Sequence, residues 1–150
     1  MKPQYYIIVL ITIIFSLPVR SQTLAISSKQ LTGSWVFDYN TSLAKMSTNS
    51  KRNFDAMNPE NKTRFKTIYR GRKLTFKTNG TFLQELSNGK NTLGIWSLEN
   101  NNLVLKPEKG SVWIFKIYKL SDTRLILKLE NKGSNITIMP KWIFTKFKHN

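Results

Sequence analysis

Hydrophobic and polar positions divide this chain into three unlike stretches. Tyr5 to Leu17 is an almost unbroken apolar run of about 13 residues. From Ser42 to Tyr69 the apolar residues recur at helical spacing, with Leu43/Met46 and Phe54/Met57 three apart and Phe65, Ile68 and Tyr69 forming one stripe. From Lys73 onward they alternate with polar residues in short runs, as half-buried strands do. Leu31 to Asp38, ahead of the helical stretch, carries the same alternation and reads as strand one, with Leu31, Gly33, Trp35 and Phe37 on one face.

Turn chemistry punctuates the strands. Asn40-Thr41-Ser42 offers helix-capping side chains after strand one. Asn58-Pro59-Glu60 opens a second helix with a cap, a proline in the first turn and an acid near the positive end of the dipole; Gly71 stops it. Asn79-Gly80 and Asn88-Gly89 mark hairpins, because type I′ turns need positive φ at both central positions. Further breaks at Asn100 to Asn102, Lys109-Gly110, Ser121-Asp122 and Asn131 to Gly133 bring the count to about eight strands, the last from Asn135 to Phe147. The expected fold is all-β: an antiparallel up-and-down barrel of about eight strands, with a helical insert at about 42–70 between strands one and two. Closure of such a meander removes its exposed edges.

Alternation sorts Trp35, Phe37, Leu74, Phe76, Phe82, Trp96, Leu105, Phe115, Leu127, Trp142 and Phe144 to the barrel interior. Of these, Trp35, Phe37, Leu74, Phe76, Phe82, Trp96, Phe115 and Trp142 are the expected ligand-binding residues. An eight-stranded barrel either fills with side chains or leaves room for one small ligand, and the pattern alone leaves both open.

The apolar run at 5–17 follows Lys2 and is too short to span a bilayer, which takes ~20 residues. It reads as a signal peptide over 1–21, cut after Ser21 or, alternatively, after Ala25, with retention as an anchor the competing possibility. Residues 22–30 then form a flexible lead-in and 31–150 one barrel domain, the size expected of a single core. The chain holds no cysteine, which excludes a lipid-anchored form, disulfide staples and thiol chemistry. A periplasmic or secreted bacterial protein is expected.

Leu31-Thr32-Gly33-Ser34-Trp35 resembles the opening strand of the lipocalin and fatty-acid-binding-protein superfamily, in which a Trp plugs one barrel end. Leu74 to Phe82, Gly94-Ile95-Trp96-Ser97-Leu98 and Leu103-Val104-Leu105 are similar to small exported lipocalin-like domains of Bacteroidetes-type bacteria. The order of these short motifs, over most of the mature chain, carries the resemblance. It implies a calycin barrel holding a small apolar or amphiphilic ligand, with an insert like the helical lid of fatty-acid-binding proteins. Three departures stand out. The basic pair that grips a carboxylate in fatty-acid-binding barrels has no clear counterpart, and the long C-terminal helix of typical lipocalins is missing. The arginine common near the end of the last lipocalin strand is also absent, with Lys141, Lys146 and Lys148 as the nearby cations.

Enzymatic chemistry finds little purchase. The single histidine is His149, and the eight acids are scattered, so neither a metal site nor a cofactor is expected. Glu85 and Glu130 could face one another as a carboxylate pair only if both pointed inward, and alternation turns Glu130 outward. No nucleophile elbow, phosphate loop or dinucleotide fingerprint occurs.

Charge adds a second functional reading. Removing Lys2 and Arg20 with the leader leaves 22 cations against 8 acids, a net +14. Lys62, Arg64, Lys66, Arg70, Arg72 and Lys73 fall within a dozen residues free of acids and form a candidate basic portal or surface patch. Two functions draw support from the pattern: a monomeric, non-enzymatic carrier of a small hydrophobic or amphiphilic molecule, or a solid barrel whose basic surface engages anionic membrane or envelope polysaccharide. An inhibitor or assembly role through the loops of a solid barrel is a third, on which the pattern is silent. Nucleic acid fits the charge but not the export signal.

Overall fold

The computed structural model describes residues 26–130 and 138–147. The leader, the start of the lead-in, Asn135 and His149 lie outside the described residues. Eight strands run in sequence order: β1 (Gly33–Phe37), β2 (Lys73–Phe76), β3 (Thr81–Glu85), β4 (Asn91–Glu99), β5 (Asn102–Pro107), β6 (Trp113–Leu120), β7 (Arg124–Leu129) and β8 (Lys141–Lys146). Each pairs antiparallel with the next, and β1 pairs with β8 through Trp35 opposite Lys146 and Phe37 opposite Phe144. The sheet is therefore a closed barrel.

Four helices accompany it: α1 (Ser28–Leu31), α2 (Tyr39–Ala44), α3 (Thr48–Asp55) and α4 (Pro59–Tyr69). The strand predicted from Leu31 begins two residues later, and the lead-in ends in α1. There Ser27 and Gln30 satisfy the first backbone donors in a capping box. Leu31 thus closes a helical turn and is fully buried at the barrel end. The insert also starts earlier than predicted, because Asp38 rather than Asn40 is the cap: its carboxylate accepts from the Thr41 amide at 3.0 Å. Ser47 and Asn58 cap α3 and α4 in the same way.

Alternation along the strands fills the interior. Trp35, Leu74, Phe76, Phe82, Leu105, Phe115, Leu127 and Phe144 are all buried to within 1%. Each such side chain contributes about 1.5–3 kcal/mol of apolar burial. On β8 the alternation breaks, and Trp142, Ile143 and Phe144 are all buried. Ile143 faces the insert, where its amide donates to the Ser42 hydroxyl at 3.1 Å and pins α2 to the barrel.

Chain direction gives the barrel two distinct ends. α1 lies where β1 begins, and the insert lies where β1 ends and β2 begins. The α1 end is plugged. The Trp35 indole N–H donates to the Leu31 carbonyl at 2.7 Å, and the Lys146 ammonium sits 4.2 Å from the centre of the Trp35 ring. Lys146 also donates to the carbonyls of Thr32 and Gln30.

Candidate functional site

Rings gather at the insert end. From the insert, Phe54 packs on Phe65 with centroids 5.3 Å apart, and Phe65 on Tyr69 at 4.5 Å. Tyr69 then meets two interior rings, Phe37 and Trp142, each at 5.6 Å. Trp142 continues the chain to Phe115 at 5.0 Å. The helical stripe read from sequence therefore does more than cover the mouth. It joins the barrel's own aromatic interior.

Arg72 lies within this cluster. The alternation that buries Leu74 and Phe76 extends one step back to it, so its side chain turns inward and only 6% of the residue is exposed. The guanidinium carbon stands 4.4 Å from the Trp142 ring centre and 4.7 Å from that of Tyr69, a stacking geometry that suits a planar cation. Nε donates to the Ile68 carbonyl at 3.3 Å. Burial pulls the Arg72 pKa down to about 10, with Tyr69 acting weakly the other way. Burial likewise raises the Tyr69 phenol above 10.0, opposed by the Arg72 charge.

Gln84 is the second buried polar side chain here. It shares the inner face of β3 with Phe82, is 5% exposed, and its Oε1 has no hydrogen-bond partner among the described residues. Strand register sets Leu74 opposite Gln84, which makes Arg72 the diagonal neighbour of Gln84 on one inner face.

A groove of about 490 Å³ opens beside them, between α4 and the β3–β4 hairpin. Ile68 and Leu86 line it with Thr67 and Asn88, and Arg64 and Lys90 supply its two charged side chains, both cationic. The Ser87 hydroxyl bridges the walls by donating to the Thr67 carbonyl at 2.9 Å.

Of the eight interior residues expected to bind ligand, Trp35, Phe37, Leu74, Phe76, Phe82, Phe115 and Trp142 are buried in the barrel. Trp96 is not. It stays half-buried beside Phe76 at the α1 end, donates to the Lys77 carbonyl at 3.2 Å, and lines a surface groove with Lys29 and Thr78. A polar anchor in the turn below it holds the indole at the rim.

The six cations grouped by sequence do not form one patch. Arg72 is internal, because strand alternation rather than helical spacing governs it. Lys73, one residue on, points outward and pairs with Glu85 at 3.0 Å. That contact also places Glu85 on the outer face, so Glu85 and Glu130 make no inward pair. Lys62 folds back to the Asp55 carbonyl at 2.8 Å. Arg64, Lys66 and Arg70 remain exposed. Gln84 was missed from sequence, although its place two residues beyond Phe82 on the same face was signal enough.

A DUF4847 family protein from Bacteroides vulgatus ATCC 8482 is similar in structure, with 20% sequence identity, 77% of this chain and 92% of that chain covered, and a TM-score of 0.41. No curated protein matches the chain. Residues 31–127 match the model of the lipocalin-like domain, from the Gly-x-Trp strand into β7, and the chain belongs to that family.

Proposed function

We propose that the protein is an exported, non-enzymatic, monomeric binding protein that holds a small apolar or amphiphilic molecule in its barrel, beneath the helical insert. The observation that carries this reading is the unbroken ring contact from Phe54 and Phe65 of the insert, through Tyr69, to Phe37, Trp142 and Phe115 of the barrel. The apolar burial behind these contacts is non-directional, so an apolar guest can take the place of one ring against another, and lifting the insert exposes an aromatic surface to it. Export follows from the leader.

Native mass spectrometry of the secreted protein, with extraction of whatever co-purifies, tests the reading. A bound small molecule retained by wild type and lost in Trp142→Ala supports it. A bare mass, with no uptake of a neutral naphthylamine probe, refutes it. The alternative, a basic surface module for envelope polyanions or anionic membrane, draws on exposed Arg64, Lys66 and Arg70. It requires binding that falls steeply with salt and is indifferent to Trp142.

A further inference from the structure

We propose that Arg72 and Gln84 form a headgroup site for an anionic amphiphile, specifically a carboxylate that carries a hydroxyl or amide N–H close to it. This rests on the reading of the barrel as a small-molecule carrier and names the class of guest.

Among the described residues Arg72 has no counter-ion. All eight side-chain carboxylates of the chain lie among the described residues, and the ion pairs there are Lys51–Asp55 and Lys73–Glu85, neither involving Arg72. Of its side-chain nitrogens only Nε makes a hydrogen bond among the described residues, to the Ile68 carbonyl, which leaves the two terminal nitrogens free to donate. A cation buried without a charge partner is costly, and ring faces replace only part of the lost hydration. The unpaired fork matches a carboxylate's two oxygens.

Gln84 narrows the chemistry. Among the described residues its buried Oε1 has nothing to accept from. Being diagonal to Arg72 on the same inner face, it can meet the same guest. An amide oxygen takes an O–H or N–H, which a plain carboxylate does not offer. A guest bearing both groups satisfies both residues, and its tail meets Phe37, Trp142 and Phe115.

Access follows the groove between α4 and the β3–β4 hairpin. Ile68, whose carbonyl holds Arg72, and Leu86, two residues beyond Gln84, are both in its wall. Arg64 and Lys90 bring positive charge to it, drawing an anionic headgroup toward the barrel.

The experiment is displacement of a neutral naphthylamine probe from the full mature chain by dodecanol, dodecanoate and 3-hydroxydodecanoate. Wild type is expected to bind both acids at least about tenfold more tightly than the alcohol, with the hydroxy acid ahead. Arg72→Met removes the preference for the acids and leaves dodecanol within about twofold. Gln84→Leu removes only the advantage of the hydroxyl. Equal binding of acid and alcohol by wild type overturns the headgroup site while the carrier reading stands, and this comparison needs no variant to fold. Loss of all three ligands in a folded Arg72→Met assigns Arg72 a structural role and also overturns it. Failure of wild type to take up the probe or any of the three overturns both.

Discussion

Replacing Gly94 by alanine tests how tightly the barrel wall is built. Gly94 stands opposite Phe82 on one side and Pro107 on the other. An added Cβ would lie 2.2 Å from the Lys106 carbonyl oxygen, 2.6 Å from Phe82 Cε1 and 2.7 Å from Pro107 Cα. Two of these three neighbours are backbone atoms of β5, so no rotamer change relieves the contact. The β5 backbone and the Phe82 ring must each yield by ~0.5–1 Å, and overpacking of this kind costs about 1–3 kcal/mol. The upper half of that range, about 2–3 kcal/mol, is expected, because Phe82 is 99% buried and has nowhere to retreat. Gly80→Ala is the control. Nothing lies within 4 Å of its new Cβ, but its φ is +81°, so its cost is conformational, about 1 kcal/mol. Urea unfolding followed by tryptophan fluorescence gives both values. A Gly94→Ala protein within about 0.5 kcal/mol of wild type would show that β5 moves freely, and would refute the close-packing argument.

Two further outcomes follow from the two barrel ends. Lys146→Met removes the cation over Trp35 and its bonds to the Thr32 and Gln30 carbonyls, and is expected to cost about 3 kcal/mol; Lys146→Arg, which restores ring and carbonyl contacts, costs less than about 1 kcal/mol by the same urea assay. At the other end, burial raises the Tyr69 pKa above 10.0, so the stability owed to its neutral phenol is complete below pH 10 and lost as pH rises through the folded value. Wild type should therefore lose stability relative to Tyr69→Phe as pH rises past 10.0, and midpoints that stay parallel above that pH would contradict the assignment.

The barrel was legible in the sequence because period-2 alternation and Asn-Gly turns are local signals. Leu74 and Phe76, then Phe82, needed only their neighbours to be placed. What was hidden depends on partners far away in the chain. Lys146 could not be matched to Trp35 until closure of β8 on β1 brought them together. Asp38 outcompeted Asn40 as a cap by reaching Thr41, a choice of one residue that pattern rarely decides. Trp96 carries an inward-strand signature, yet the Lys77 carbonyl holds its indole at the rim. Arg72 was grouped with its charged neighbours by proximity in sequence. Two positions before Leu74, it belongs instead to the strand face, and the helix ends one turn too soon to hold it.

Polar satisfaction separates the ends of the barrel. At the α1 end the polar groups of the Trp35 plug have partners: the buried Trp35 N–H has Leu31, and the half-buried Lys146 ammonium has two carbonyls and a ring. That end is built for stability. At the insert end the chain buries, among the described residues, an arginine without a carboxylate and a glutamine oxygen without a donor, within one diagonal step of each other. Eight carboxylates were available to neutralise Arg72, and the neighbouring Lys73 took Glu85 on the outer face instead. A fold that satisfies its polar groups at one end and leaves a cation and an acceptor open at the other is stabilised when something binds there, since a ligand bound only by the folded state adds its binding free energy to folding. The insert end is therefore where a guest that brings an anion and a donor gains most.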